Sequence, residues 1–370
     1  MRRITANIIF PVTSAPLKNA YLEIDNNGTI SAIKHLPNNK EIAGLEYYSG
    51  ILVPGFVNAH CHLELSHLKN KIEKQSGLSN FVSQVQKLRN AADSEILKHI
   101  DASLKFMWSR GVNGLGDIVN YYPATAEKQK YKLLIHNFIE LFNESNKTDK
   151  EIITKGQNFV SAFLQNNFNS SPAPHSIYGT SKQLITNIIN NFDNKKITSI
   201  HFFESKLETG FHESEIIDYL NVLTAFDKIL LVHNIYLNKP FLYKLKKESV
   251  IFKKLFFVLN LNSNLYIKSK LPDINLFYSE NLRICLGTDS LASNNSLSIL
   301  DEMKTVIKHF PDIPFEKILH WATINGAKAL GFDNELGSFE RNKTPGVILI
   351  SGFDFKKNTI TYKSEVKRLV

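Results

Sequence analysis

PGFVNAHCHLELSHL, residues 54–68, is the stretch on which the fold turns. It closes an apolar, strand-like run that begins at Ile51, and it ends in His60 and His62, two positions apart. On a strand, that spacing sends both imidazoles to one side and Cys61 to the other. Two imidazoles converging at a strand end are the beginning of a transition-metal site, although a pair alone is weak evidence and more often has no ligand role. Cys61 reads as a small buried residue outside the strand.

Working outward from this run, similar apolar segments recur with helical patterns between them. They are ILVPGFVNAH (51–60), GVNGLGDIV (111–119), KLLIHNFIELF (132–142), SSPAPHSIY (170–178), ITSIHFF (197–203), KILLVH (228–233), KLFFVLNL (254–261) and LRICLGTDS (282–290). Runs such as ILLV and LFFV are apolar throughout, as parallel strands covered on both faces require. Between the first two, SEILKHIDASLKFMWSRG repeats Ile96, Ile100, Leu104 and Trp108 at helical spacing, and Gly111 ends the pattern. Eight strands alternating with helices, without a Gly-rich nucleotide fingerprint, predict a (β/α)8 TIM barrel over an open doubly wound sheet.

The two ends read differently. ITANIIFPV, then AYLEID and TISAIKH around a turn at Asn26, Asn27 and Gly28, are short alternating strands; GVILISGFDF and NTITYKSEV repeat the pattern at the other end. These predict a small discontinuous β-sandwich domain made by residues 1–53 and 336–370 around a barrel of 54–335.

The composition, 43% hydrophobic and 21% charged over 370 residues, is that of a globular protein with a sizeable core. The formal charge of +9 comes from lysines scattered along the chain, with no basic block or RNA-binding signature, so no nucleic-acid partner is expected. No apolar run spans a bilayer. Pro11 and Pro16 interrupt the first apolar stretch, so a signal peptide is not expected and the cytoplasm is the expected compartment. The two cysteines, Cys61 and Cys285, read as reduced thiols. A homo-oligomer is left open.

Three further strand ends carry polar residues of the right kind. ITSIHFFES presents His201 with Glu204 three residues on, KILLVHN presents His233, and RICLGTDS presents Asp289 just past Gly287. In regular strand geometry Glu204 would not share the face of His201, so the strand must end or bulge between them.

Together these segments resemble the amidohydrolase superfamily, in its branch of cytosine, guanine and adenosine-type deaminases and chlorohydrolases. PGFVNAHCH resembles the family's first-strand motif, PHSIYGTS (174–181) its Pro-His-Ala-Pro-Tyr segment, HFFES (201–205) its His-x-x-Glu and LVHNIYL (231–237) its His-Cys-x-His strand. LNSNLYI (261–267) resembles the Ser-Asn-Leu segment, LGTDSLASNNSLSILDEM (286–303) the Gly-Thr-Asp-Ser segment with its helix, and WATINGAKALG (321–331) the helix that follows. HCHLELS (60–66) is also similar to aminofutalosine deaminases.

The resemblance implies one divalent metal held by His60, His62, His201 and Asp289, zinc first, with iron or manganese as alternatives. It implies a metal-activated water, Asp289 as proton acceptor, Glu204 as the acid that protonates a ring nitrogen, and His233 as the group orienting the attacking oxygen. A small-molecule heterocycle, purine-like base or nucleoside, would lose ammonia. His175, Asn264 and Ser290 adjoin the carried-over motifs as candidate substrate contacts. Glu64 would join them if the strand continued past His62. His67 reads as a loop residue, and His99, His309 and His320 fall in helices. A cyclic-amide or chlorinated-ring hydrolase would use the same site. A non-catalytic scaffold should have lost ligands, and all four are here.

The chain departs from the family at three points. Tyr236 replaces the second histidine of the His-Cys-x-His strand. Asn260, Leu261 and Asn262 replace Cys-Pro-Arg, removing a potential anion-binding arginine. Pro345, Gly346 and Val347 replace Ala-Asp-Leu-Val. No lysine on PAPHSIYG suggests a bridging carboxylated ligand, so one metal is expected rather than two.

Overall fold

The architecture changes at Pro54–Gly55, where one strand hands over to the next. In the computed structural model, which describes residues 1–37, 42–121 and 124–370, four strands precede that point. They are β1 (Arg2–Ile9), β2 (Ala20–Ile24), β3 (Ile30–His35) and β4 (Leu45–Pro54). The β2–β3 turn forms because Asp25 Oδ1 accepts the amides of Asn27 and Thr29, at 2.8 and 2.9 Å, while Gly28 takes φ +90°.

Eight strands follow, alternating with helices: β5 (Phe56–Cys61), β6 (Val112–Val119), β7 (Leu134–Leu141), β8 (Asn169–Pro174), β9 (Ile197–Phe202), β10 (Lys228–His233), β11 (Leu255–Leu259) and β12 (Ile284–Leu286). Each falls within one of the runs anticipated from the sequence, extended by a residue at most. They form two parallel four-stranded sheets, ordered β5-β6-β7-β8 and β12-β11-β10-β9. The sheets meet at two parallel bridges, Cys61 with Asp289 and Ser176 with His201. There His60 O accepts the amides of Thr288 and Asp289, at 3.0 and 3.1 Å, and His175 O accepts His201 N at 2.9 Å. The result is a TIM-barrel-like α/β architecture, with the C-terminal strand ends gathered on one side.

The helix Asp93–Ser109 buries Ile96, Ile100, Leu104 and Met107, with Trp108 only half-buried beneath the Arg368 guanidinium, 4.8 Å from its ring. After the last helices the chain returns to the first sheet. β13 (Val347–Ser351) pairs antiparallel with β4, and β14 (Glu365–Arg368) with β13, giving the order β14-β13-β4-β1-β2-β3. Among the described strands, the termini thus share one six-stranded sheet, whose apolar side gathers Ile4, Ile9, Leu22, Leu52 and Val347.

The strand expected over NTITYKSEV is displaced, beginning only at Glu365. Its earlier residues are spent on local turns. Thr361 and Ser364 hydroxyls donate to Gly352 O at 3.1 and 2.8 Å, and just before the run Asp354 Oδ1 accepts the amides of Lys356 and Lys357.

Candidate active site

The ends of β5, β9, β10 and β12 point their last side chains at one another. β5 carries a register irregularity between Asn58 and Cys61, and across it His60 and His62 converge until their Nε2 atoms are 3.2 Å apart. Gly287 makes room for His60: a Cβ there would lie 3.0 Å from His60 Cβ and 2.4 Å from Asn260 Oδ1. His201, on β9, donates from Nδ1 to His175 O at 3.0 Å, which leaves Nε2 as the acceptor. Its ring stacks between those of His62 and His233, with centroids 5.5 and 5.4 Å away.

Asp289 follows β12 with φ +57°. Its Oδ1 lies 3.8 Å from His60 Nε2 and 3.5 Å from His62 Nε2. Its Oδ2 accepts the hydroxyls of Ser263 and Ser293, at 2.6 and 2.8 Å, so one oxygen is held while the other faces the imidazoles. Glu204 meets the geometric requirement anticipated from sequence. β9 stops at Phe202, Phe203 takes φ +46°, and the turned chain brings Glu204 Oε1 to 4.0 Å from His233 Nε2. His233 Nδ1 lies 2.9 Å from Asn264 Oδ1.

Among the described residues, three side-chain triads bring potential ligand atoms within 4.8 Å of one another: His60, His201 and His233; His60, His62 and Asp289; and Glu140, His175 and His201. The first two share His60, and their neutral ring nitrogens and single anionic oxygen suit one divalent cation. Burial, with the neighbouring imidazoles, pushes His60 well below the ordinary histidine value; burial takes His62 down to about 3. Burial alone would raise Asp289, but His62, His233 and the two serine hydroxyls outweigh it and hold the carboxylate ionised. The third triad is a support rather than a second metal position. His201 Nδ1 is already committed to a carbonyl, and Glu140 Oε1 sits 3.4 Å behind it, as carboxylates do behind metal-binding histidines.

Other residues singled out from sequence are distributed around this centre. His175 is adjacent to His201, ring centroids 5.0 Å apart, and burial lowers it to about 3. Asn264 spends its oxygen on His233 directly, and Ser290 Oγ is 3.1 Å from Ser293 Oγ, which in turn donates to Asp289. The strand does not continue to Glu64. A 3₁₀ turn, Leu63–Leu68, intervenes, and the Glu64 carboxylate instead accepts the amides of Asn120 and Tyr121, at 3.1 and 3.0 Å, 3.5 Å from Arg89. His67 lies in the same turn, buried, its Nδ1 on Glu64 O. Ser263, Ser293 and Glu140 escaped the sequence reading. Glu140 had a signal, a lone acid in the apolar run KLLIHNFIELF; the serines had none beyond lying inside the motifs.

The amidohydrolase family model matches residues 51–368, from the end of β4 through β14. The chain belongs to the amidohydrolase family. Among its relatives, 5-methylthioadenosine/S-adenosylhomocysteine deaminase of Halalkalibacterium halodurans is 24% identical over 373 residues, covering 93% of this chain and 83% of that one. Adenosine deaminase of Helicobacter pylori is 25% identical over 337 residues, covering 84% and 81%. The fold is shared with Helicobacter pylori aminofutalosine deaminase in complex with methylthio-coformycin, at TM-score 0.81, 22% identity and complete coverage of both chains. It is shared also with zinc-complexed atrazine chlorohydrolase of Arthrobacter aurescens, at TM-score 0.77 and 15% identity over 94% of this chain and 86% of that one. As an amidohydrolase, the chain is a hydrolase of carbon–nitrogen bonds other than peptide bonds.

Proposed function

We propose that this amidohydrolase removes an amino group from a nitrogen heterocycle, a purine-like base or nucleoside, releasing ammonia. The observation that carries the reading is the pair of triads that share His60, one with His62 and Asp289 and the other with His201 and His233, with Glu204 beside His233. The first four would hold one divalent cation, zinc by the chemistry of three imidazoles and a carboxylate, with iron or manganese able to replace it. Such a cation supplies a water acidic enough to attack at neutral pH. The relatives named for deamination of adenosine-type nucleosides support the substrate class.

The chain's own groups would divide the proton work. Asp289 Oδ1, facing the imidazoles while Oδ2 is pinned, takes a proton from the attacking water and returns it to the departing amine. Burial would raise Glu204, but His233, His201 and Lys268 hold it below the ordinary carboxyl value. It is therefore ionised at rest and must gain its proton as the water attacks, then pass it to the ring nitrogen, making the adjacent carbon electrophilic. His233, with Nδ1 turned to Asn264, presents Nε2 to orient the oxygen. His175 lies beside His201 as a substrate contact.

We read the two parallel sheets as one closed (β/α)8 barrel over residues 54–335 and the terminal strands, 1–53 and 336–370, as a separate β-domain. No described helix is long and apolar enough to cross a membrane.

Ammonia release by zinc-loaded protein, assayed over purines, pyrimidines, aminated nucleosides and cyclic amides with a chelated control, tests the proposal. Chelator-sensitive ammonia from an amino-heterocycle is the expected result. Chelator-sensitive ring opening or dechlorination without ammonia would move the protein to the chlorohydrolase and cyclic-amide side of its family. Silence from metal-loaded protein would leave a binding scaffold.

A further inference from the structure

Glu204 stands on a piece of backbone the chain would not adopt unaided, because the left-handed φ of +46° belongs to Phe203, a bulky residue with no tolerance for it. Two side chains from different parts of the chain, Glu208 and Lys268, grip that turn. Glu208, completely buried, accepts Phe203 N at Oε1 and Ser205 N at Oε2, both at 2.9 Å, one amide on either side of Glu204. Lys268 Nζ donates to the Glu204 carbonyl. Backbone bonds complete the grip, Asn234 N to Phe202 O at 2.9 Å and Tyr236 N to Phe203 O at 3.1 Å.

Glu208 has a local duty, since with Ser205 it forms the capping box of the short turn Lys206–Gly210. That duty accounts for its bond to Ser205. It does not account for the Phe203 amide, which lies outside the turn, nor for a lysine reaching in from elsewhere. Lys268 closes the helix Leu261–Lys268, whose Ser263 holds Asp289 and whose Asn264 holds His233. One helix therefore touches three groups of the reaction, each on a different strand end. Only a carboxylate can serve both amides as Glu208 does; a glutamine has a single oxygen acceptor and would turn an NH2 toward one of them.

We propose that Glu208 and Lys268 are positioning residues that aim Glu204 at the ring nitrogen of the substrate. The inference rests on the reading of Glu204 as the acid. Neither residue touches the reacting atoms. Each fixes the peptide from which the acid projects, and misplacement by about 1 Å is enough to cost on the order of a hundredfold in rate.

The test is the kcat and KM of Glu204→Gln, Glu208→Gln, Lys268→Met and Lys268→Arg, and of the first combined with each of the others. Adenosine serves as reference substrate alongside the fastest ammonia-releasing compound of the panel, and zinc content is measured throughout. Glu208→Gln and Lys268→Met should lower kcat roughly ten- to a hundredfold, with KM and zinc content unchanged. Lys268→Arg should recover most of the rate. In the Glu204→Gln background the same substitutions should cost nothing further, because nothing remains to be aimed. Singles that keep kcat within about twofold, or doubles whose losses multiply, would overturn the inference while leaving Glu204 as the acid. Full activity in Glu204→Gln would remove the acid itself. Should Glu208→Gln fail to fold, the Lys268 pair, on a partly exposed helix end, decides alone.

Discussion

Asn264→Ala separates a support from a bystander. Asn264 is 1% exposed, and its Oδ1 is 2.9 Å from His233 Nδ1. An amide oxygen only accepts, so the imidazole proton is on Nδ1 and Nε2, 4.0 Å from Glu204, is left as the acceptor that orients the attacking oxygen. Truncation leaves a buried N–H without a partner, at a cost of about 1–3 kcal/mol. The imidazole can escape that cost only by moving or by shifting its proton to Nε2, and either ends its role. If the penalty falls wholly on the reacting state, kcat drops about 5- to 150-fold at 1.36 kcal/mol per decade. Asn264→Asp keeps an acceptor in place and should lose less. The assay is steady-state ammonia release, with thermal melting and zinc content as controls. An alanine variant that is folded, metal-loaded and as fast as the parent would refute the reasoning. So would a His233→Ala, Asn264→Ala double whose losses multiply, since the two residues are argued to act as one unit.

Gly287→Ala should crowd His60 and Asn260, given the 3.0 and 2.4 Å approaches of the added Cβ; a loss of about 1–3 kcal/mol in stability and faster zinc loss to a chelator are expected from melting and competition titration. His60→Ala should abolish turnover and lose the metal, whereas Asp289→Ala should abolish turnover with a weaker effect on zinc content. His136 offers a pH test remote from the reaction. Burial holds its imidazole down at about 3, with Nε2 2.8 Å from Ser171 Oγ, while in the unfolded chain it titrates near 6.5. The unfolded state therefore takes the proton first, so the contribution is whole above about pH 6.5 and shrinks as pH falls toward 3, a loss on the order of 3 kcal/mol by pH 4.5. Urea unfolding of chelated protein should show a slope to which His62 and His175, also held at about 3, contribute, and His136→Gln should lessen it by the share of one group; identical slopes would rule the account out.

The elements were legible because a parallel strand covered on both sides must be apolar throughout, and ILLV and LFFV leave few alternatives. The metal-site candidates were legible because each ends such a run. What the sequence hid is pairwise and distant. Ser263 reaches Asp289 across 26 positions, Lys268 reaches Glu204 across 64, and a serine or lysine in a helix carries no mark of its partner. The condition attached to Glu64, a strand continuing past His62, fails for a local reason: beyond Cys61, His62 already opens a 3₁₀ turn. Glu140 was readable as a charge among apolar neighbours, since burial of an acid requires a partner, here His201.

Strand parity also explains why the site needs its unusual backbone. A strand presents alternate residues to one face, so it can aim a single group inward near its end, and groups at other offsets require the chain to leave the strand. Positive φ values occur at Phe203, His233, Asn234 and Asp289, all at the ends of β9, β10 and β12. Each such residue costs about 1–3 kcal/mol and persists only where its surroundings over-determine it. Histidine, asparagine and aspartate are the non-glycine types that tolerate this region best, so three of the four are chemically suited to where they sit. Phe203 is not, and it is the one whose amide is taken by a buried carboxylate, whose carbonyl is taken by Tyr236 N, and whose neighbour is held by a lysine. The heaviest bracing thus surrounds the least tolerant residue. That residue precedes the one carboxylate, Glu204, that must face inward three positions after a histidine that already does.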